Sequence, residues 1–190
     1  MTSRSELRQT RRNLSPKSQR HAAKSLCRII SCQLFFQRAS QIVLYMPVDG
    51  EISPMPICHL ALKLGKECYL PAISNKPAEA MEFRRYVPGE TPMRQNHYGI
   101  LEPIYNPRHT ILPWMPDIVF LPLVGFDTTG NRIGMGKGYY DRTFANIRNR
   151  WRKPALTGLA HSFQQTRIDP QPWDIPLHKV ATEKTFFTFR

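Results

Sequence analysis

Gly130-Asn131-Arg132-Ile133-Gly134-Met135-Gly136-Lys137-Gly138-Tyr139-Tyr140-Asp141-Arg142 is the stretch on which the interpretation of the chain depends. Four glycines fall among its first nine residues, with two cations between them. An apolar run at 118–121 precedes the stretch, and residues 140–151 are predicted to form a helix. Glycine allows positive φ and a close approach of the backbone to a ligand, and free N–H groups ahead of a helix attract anions. The pattern therefore predicts a phosphate-binding loop between a buried strand and a helix.

This loop differs from the two common phosphate-binding signatures. A Walker loop has Ser or Thr after Gly-Lys, whereas Gly138 follows Lys137 here. Arg142 stands where the last glycine of G-x-G-x-x-G would be sought. The residues alone leave open a flexible glycine-rich turn that binds no ligand.

The rest of the chain alternates between apolar runs and helical patterns. Strands are predicted at 42–46, 67–70, 81–84, 117–121, 156–160 and 185–189, and helices at 5–13, 16–34 and 54–64. Residues 87–116 are predicted to be a long surface loop and 173–178 an extended linker. The fold class predicted is α/β, with 1–190 as a single domain and a mostly parallel sheet covered by helices on both faces in a Rossmann-like three-layer arrangement. A basic helical segment at 1–37 opens this domain.

Composition narrows the class of protein. Hydrophobic residues make up 41% of the chain, and no apolar run approaches the ~20 residues of a membrane span. The four cysteines form no C-x-x-C pair, which favours a reducing, cytoplasmic location over disulfides or zinc. The net charge is +13, and residues 1–40 hold nine Lys and Arg against one acid. Such a charge attracts polyanions, so a basic RNA-binding module is the alternative function.

The glycine-rich stretch resembles the signature of the 5-formyltetrahydrofolate cyclo-ligase family. Other segments resemble the same family across nearly the whole chain. They are the pair Arg4 and Arg8, the segment Tyr45-Met46-Pro47-Val48-Asp49-Gly50-Glu51-Ile52, the segment Tyr98-Gly99-Ile100-Leu101-Glu102-Pro103, the run from Pro116-Asp117 to Phe126-Asp127, and the end from Trp173-Asp174 to Thr182-Glu183.

The resemblance implies an ATP- and Mg²⁺-dependent ligase. The formyl oxygen of 5-formyltetrahydrofolate would take the γ-phosphoryl group of ATP, N10 would attack the activated carbon, and phosphate would leave, giving 5,10-methenyltetrahydrofolate, ADP and phosphate. Its partners would be a reduced folate and ATP, with no specific nucleic acid and no membrane, and the chain would act as a monomer.

The resemblance also assigns site residues. The catalytic residues would be Arg132, Lys137 and Tyr140. The ATP-binding residues would be Arg4, Arg8, Arg132, Ile133, Gly134, Met135, Gly136, Lys137, Gly138, Tyr139 and Tyr140. The substrate-binding residues would be Met46, Glu51, Met135 and Tyr139. The metal ligands would be Asp141 and Asp174.

Some assignments have structural alternatives. Asp174 could be a turn residue before Ile175-Pro176. Glu51 could be a surface residue beside a turn, and Met46 and Tyr139 could be ordinary core residues. His178 departs from the acid common at that position in the family. Because folates carry glutamate tails, three further cations are predicted as tail contacts: Arg84, Arg85 and Arg94.

Overall fold

The computed structural model describes residues 3–74 and 81–189. Residues 1 and 2 of the predicted N-terminal helical segment lie outside these ranges. The helices are α1 (Arg4–Arg12), α2 (Pro16–Ser31), α3 (Leu34–Arg38), α4 (Met55–Lys63) and α5 (Tyr139–Phe144). The strands are β1 (Gln41–Val43), β2 (Glu67–Ile73), β3 (Met81–Arg85), β4 (Met93–Gln95), β5 (Leu101–Pro103), β6 (Thr110–Ile111), β7 (Ile118–Pro122), β8 (Gly125–Phe126), β9 (Arg132–Ile133), β10 (Ala155–Leu159), β11 (Lys179–Ala181) and β12 (Phe186–Thr188).

An eight-stranded sheet has the spatial order β12-β11-β10-β7-β1-β2-β3-β6. The strands from β11 through β2 run parallel to one another. β12, β3 and β6 add antiparallel neighbours at the two edges. The prediction of a mostly parallel α/β sheet is confirmed. Its central strand β7 is buried along four of its five residues, as expected of a strand covered on both faces.

Local sequence signals explain where the first helices begin. Ser3 caps α1, and Glu6 completes the capping box by accepting from the Ser3 backbone. Ser15 caps α2 and Pro16 takes its first position. α2, α3 and α4 cover one face of the sheet through a common apolar cluster. Leu34, predicted to extend the apolar face of the second helix, is 65% exposed because α2 ends at Ser31.

The other face of the sheet is covered by α5 and the short β8–β9 hairpin. Phe144 and Phe126 are buried there against the strands. Helices therefore lie on both faces, as predicted. The predicted helix at 140–151 is shorter than expected, because α5 ends at Phe144 and the chain continues as a separate 3-10 turn at Ile147–Asn149.

One predicted irregular segment contains strands, and another is followed directly by one. Within the predicted loop at 87–116, β4 and β5 form a hairpin, and β6 pairs with β3 to extend the sheet. β11 follows the predicted linker at 173–178 and adds a parallel strand that was not predicted. These strands are two or three residues long, too short to show a period of two in the sequence.

The parallel sheet places the candidate site at one edge. β1 and β7 are hydrogen-bonded neighbours, so their carboxyl ends meet at the same edge. The 49–51 turn follows β1, and the β8–β9 hairpin and glycine loop follow β7. α1 packs at this edge, where a Leu7 methyl group lies near Gly125. Ligands of open α/β sheets bind at such edges.

Candidate active site

The turn after β1 gathers cations around Asp49. Asp49 has φ 53° and Gly50 has φ 75°, so two successive residues take the left-handed conformation. Three arginines of α1, Arg8, Arg11 and Arg12, pair with the Asp49 carboxylate. Burial opposes ionisation of Asp49, but hydrogen bonds from Arg12, Arg8 and Arg11 outweigh it and hold the pKa of Asp49 well below its usual range. The carboxylate therefore stays charged and anchors α1 to the turn.

Arg11 is fully buried at 0% exposure and lies at the centre of this edge. Its Nη1 donates to the backbone oxygen of Leu123 at 3.0 Å. Its guanidinium also lies 3.9 Å from Glu51 Oε1 and 4.0 Å from Met135 Sδ. Arg11 was not predicted to be a site residue. A signal was present, because Arg11 falls on the same helical face as Leu7 and Leu14, where a buried residue is expected.

Glu51 is a buried carboxylate, 7% exposed. Its Oε2 accepts from the backbone N–H of Val48 at 3.1 Å. Burial raises the pKa of Glu51 to about 7, and the Val48 hydrogen bond and the nearby Arg11 only partly offset that rise. The alternative of a surface residue is wrong. Near neutral pH, Glu51 can therefore hold or release a proton.

Two tyrosines lie close enough to Glu51 to be affected by its charge. Burial and the negative charge of Glu51 raise the pKa of Tyr140 and of Tyr45. The Tyr45 hydroxyl donates to the backbone oxygen of Ile52 at 2.6 Å. Met46 is partly buried against the apolar cluster that contains Tyr45. Tyr140 stays protonated at neutral pH and remains a hydrogen-bond donor.

The glycine loop lies against the N-terminal helix. Gly136 and Gly138 have φ 85° and 64°, values that favour glycine. The Nη1 of Arg4 lies 3.1 Å from the place where a Cβ on Gly136 would stand. Around Gly134 nothing lies within 4 Å of such a Cβ, and Met135 is 41% exposed. Ile133 ends β9, where its backbone oxygen accepts from Val124. The Arg4 side chain therefore lies beside the glycine loop.

Arg132 and Asp141 form an ion pair at the end of this loop. The Nη2 of Arg132 lies 2.6 Å from Asp141 Oδ1, and Nη1 of Arg132 donates to the backbone oxygen of Ile175. The N–H of Ile175 donates to the same Asp141 oxygen at 3.2 Å. Asp174, the next residue back, accepts from the N–H of Gln171 at 2.9 Å, as a turn residue does. Both predicted metal ligands therefore belong to segments that meet at Ile175.

Lys137 and Tyr139 lie beside Tyr98, at the tip of the β4–β5 hairpin. The hydroxyls of Tyr98 and Tyr139 are 3.1 Å apart. Lys137 Nζ lies 5.5 Å from the centre of the Tyr98 ring, and Arg142 lies over the Tyr139 ring. Tyr98 was not predicted as a site residue, although its segment was part of the family resemblance.

Each of the three predicted tail contacts has a partner within the protein. Arg84 is 3% exposed and donates to the backbone oxygen of Pro103. Arg94 donates from Nε and Nη2 to Glu102 at 3.0 and 2.8 Å. The prediction is wrong for Arg84, which is buried, and Arg94 is held by a buried carboxylate instead of facing solvent alone. Arg85 is half-exposed, 4.0 Å from Glu67.

Comparison with known proteins identifies relatives over nearly the full chain. The sequence profile described as the 5-formyltetrahydrofolate cyclo-ligase family matches residues 1–183. A 5-formyltetrahydrofolate cyclo-ligase of Haemophilus influenzae is 38% identical over 93% of this chain and 94% of its own length. One of Escherichia coli K12 is 31% identical over 93% of this chain and 96% of its own length. No helix in residues 3–74 and 81–189 is long and apolar enough to cross a bilayer.

Solved structures share the fold. The NMR structure of Aquifex aeolicus 5,10-methenyltetrahydrofolate synthetase superimposes with a TM-score of 0.82 at 30% identity, covering 98% of this chain and 91% of that one. The 5,10-methenyltetrahydrofolate synthetase of Mycoplasma pneumoniae superimposes with a TM-score of 0.73 at 22% identity, covering 95% of this chain and 96% of that one.

Proposed function

Because the chain belongs to the 5-formyltetrahydrofolate cyclo-ligase family and is a ligase of folate one-carbon metabolism, we propose that it converts 5-formyltetrahydrofolate to 5,10-methenyltetrahydrofolate with ATP and Mg²⁺. ATP phosphorylates the formyl oxygen. N10 then attacks the activated carbon and releases its proton, and the C–O bond breaks as phosphate leaves. ADP and phosphate are released with the cyclised folate.

The buried guanidinium of Arg11 is the observation that carries this proposal. It contacts Glu51 and Met135, which come from two different segments of the candidate site. Because Arg11 lies 3.9 Å from Glu51 and 4.0 Å from Met135, the two segments are close enough together to line one small-molecule cleft. A reaction between two bound substrates needs this kind of convergence, because catalysis depends on holding the reacting atoms together.

The phosphates of ATP are proposed to bind at the glycine loop. The N–H groups at 134–138 and the side chains of Arg4 and Lys137 supply the donors and the positive charge. Arg132 and Tyr140 complete the set. Arg8 contributes positive field from α1, although its Nε donates to Asp49 at 2.9 Å. Phosphoryl transfer gains most from such positioning and charge neutralisation.

The folate is proposed to bind beside Glu51. Its carboxylate accepts paired N–H bonds from the amino-pyrimidine ring. Met46, Met135 and Tyr139 offer apolar and aromatic surface to the pterin. Burial raises the pKa of Glu51 to about 7, which means that its charged form is poorly solvated. Two N–H donors from the ring would stabilise that charged form in place of water.

The residues fit a phosphate-bound Mg²⁺ better than a cage of protein ligands. Among residues 3–74 and 81–189, no group of three or more His, Cys, Asp and Glu side chains is arranged to hold a metal ion. Mg²⁺ uses one or two carboxylates together with phosphates and water. Asp141 and Asp174 belong to segments that meet at Ile175, and they would supply the carboxylates. When bound, the ion neutralises phosphate charge.

Arg132, Lys137 and Tyr140 are the residues proposed to act in catalysis. Arg132 and Lys137 stabilise the negative charge on the transferring phosphoryl group. Tyr140 keeps its proton, since burial and the charge of Glu51 raise its pKa, and it donates a hydrogen bond toward the reacting oxygens. The ion pair of Arg132 with Asp141 fixes the direction of that guanidinium.

A spectrophotometric assay of methenyl-folate formation tests the proposal. We expect product only when 5-formyltetrahydrofolate, ATP and Mg²⁺ are all present. An equal rate without nucleotide would contradict it. ATP–Mg²⁺ with a reduced folate should also raise the melting temperature more than RNA does, which separates the ligase from an RNA-binding module. Sedimentation at assay concentration tests the monomeric state.

A further inference from the structure

The β4–β5 hairpin is a small arm that reaches from the sheet to the glycine loop. Each of its strands has three residues, and they form a sheet of their own. An isolated two-stranded hairpin is at best marginally stable in water. Its position therefore depends on contacts with the rest of the protein.

Glu102 supplies the main polar contact between the arm and the sheet. It is 1% exposed, and its Oε2 accepts from the backbone N–H of Ile73 in β2 at 3.0 Å. Its Oε1 accepts twice from Arg94 of the arm itself. The buried Arg84 of β3 lies 4.0 Å from Glu102 and donates to the backbone oxygen of Pro103 at 2.8 Å. A buried carboxylate with this many donors fixes β5 onto the sheet.

A line of hydrogen bonds continues from Glu102 to the tip of the arm. Asn96 Nδ2 donates to Glu102 Oε2 at 3.3 Å. Asn96 Oδ1 accepts from the N–H groups of Tyr98 and Ile100 at 3.0 and 3.1 Å. Gly99 closes the turn with φ 73°. One amide group thus joins the buried carboxylate to the turn that carries Tyr98.

The line of hydrogen bonds ends at Tyr98, which lies beside two of the proposed ATP-binding residues. Its hydroxyl lies 3.1 Å from that of Tyr139, and Lys137 Nζ lies 5.5 Å from its ring centre. Tyr98 is 43% exposed, so little core packing holds it in this place. The hydrogen bonds behind it supply that restraint.

We propose that Glu102 is a positioning residue for the ligase reaction, acting through Asn96 and Tyr98 to hold Lys137 and Tyr139 of the glycine loop in place. The inference rests on the proposed function. Glu102 is buried, and its hydrogen bond from Asn96 leads on to the turn that carries Tyr98, so its effect on rate is expected to pass through Tyr98. Small displacements of catalytic groups lower rates strongly, which makes this effect measurable.

A double-mutant cycle tests the positioning role, with kcat/KM for 5-formyltetrahydrofolate as the measure. Glu102→Ala is expected to lower kcat/KM at least ~10-fold in the wild-type background. In a Tyr98→Ala background, the same change should lower it no more than ~2-fold, because the residue through which Glu102 acts is already gone. Equal losses in both backgrounds would overturn the proposal.

Rescue by a conservative variant separates positioning from general stability. Glu102→Gln keeps an acceptor for Ile73 and Asn96, and Arg94 can turn to solvent, so its kcat/KM should stay within ~3-fold of wild type. A loss as large as that of the Ala variant would overturn the hydrogen-bond line as the positioning device. Glu90→Ala removes an exposed acid from the same part of the chain and serves as the matched control.

Asn96→Ala keeps the test decisive if Glu102→Ala does not fold. It cuts the line near the exposed tip, and its loss should show the same dependence on Tyr98. Wild-type turnover is measured first. Absence of wild-type product would refute the proposed function, whereas normal wild-type turnover with independent effects of Asn96 and Tyr98 would refute the positioning role alone.

Discussion

Arg11 and Asp49 are joined twice: Nε of Arg11 donates to the backbone oxygen of Asp49, and Nη2 donates to its carboxylate, each over 2.8 Å. The first bond depends on the backbone conformation of the turn, and the second depends on the negative charge of the Asp49 side chain. Because Asp49 also has φ 53°, the turn is held in an uncommon conformation by the helix packed on it. The N-terminal helix and the 49–51 turn therefore form one structural unit.

Asp49→Asn should destabilise the protein without disturbing the turn, because Asn tolerates positive φ. The change removes the negative charge with which three arginines pair, so we expect the free energy of unfolding at pH 7 to fall by about 3 kcal/mol. The folded-state pKa of Asp49 lies below its usual range, so its stabilising effect is lost as acid protonates it. Urea titrations should show the difference from wild type shrinking below about pH 4. Glu90→Gln is the control and should change little.

Arg4→Gln should raise the KM for ATP by about 10-fold while leaving the melting temperature unchanged. Arg4 is exposed at the start of α1, and its guanidinium faces Gly136. A charged hydrogen bond to phosphate contributes on the order of 1.5 kcal/mol, which gives the expected size. Arg28→Gln removes an exposed arginine from α2 and is the matched control. An ATP KM equal to that of wild type would remove Arg4 from the phosphate site.

Glu51→Gln should become more stable than wild type as the pH rises. Burial raises the pKa of Glu51 to about 7, above its value in the unfolded chain. Wherever the unfolded chain has already released this proton, folding must either take a proton up again or bury the negative charge, and both cost free energy. The gap should open between about pH 4.5 and pH 7 and level off above, reaching at most about 3 kcal/mol. Thermal unfolding from pH 4 to 8 measures it. A gap independent of pH would show that the carboxylate is not perturbed in this way. The same variant should bind folate weakly.

Asp141→Asn should raise the Mg²⁺ concentration needed for half-maximal rate at least ~10-fold and lower kcat. Asn still accepts a hydrogen bond from Arg132 and from the N–H of Ile175, so the melting temperature should change little. Asp174→Asn should raise the Mg²⁺ requirement less, since one Asp174 oxygen is engaged by Gln171. Wild-type dependence on Mg²⁺ in both variants would argue against these carboxylates as ligands.

Features with strong local signals were predicted correctly from the sequence. They are the Ser15-Pro16 helix start, the buried strand predicted at 117–121 and the positive φ of Gly130, Gly136 and Gly138, and each depends on a few neighbouring residues. Gly134 does not have a positive φ. Their conformation is set by capping, apolar runs and backbone freedom, all of which are visible in the sequence.

Features that depend on distant partners were missed. Arg11 is the same residue type as its exposed neighbour Arg12. Its burial follows from contacts with Asp49 and Leu123, which lie far along the chain. The tip of the β4–β5 arm meets the glycine loop through Tyr98 and Tyr139, which are 41 residues apart in the sequence. α5 ends early, at Phe144, although the helical pattern continues to Trp151, which is 93% exposed. An exposed residue gives a helix no packing to extend it.

The short strands at the two borders of the main sheet affect how the protein behaves at high concentration. One border is β12, with three residues, and the other is β6, with two. A border this short offers few unpaired backbone groups to another chain, and natural proteins use such strands to prevent intermolecular strand addition. The eight-stranded sheet should therefore resist fibril growth from the native state, and aggregation should require prior unfolding.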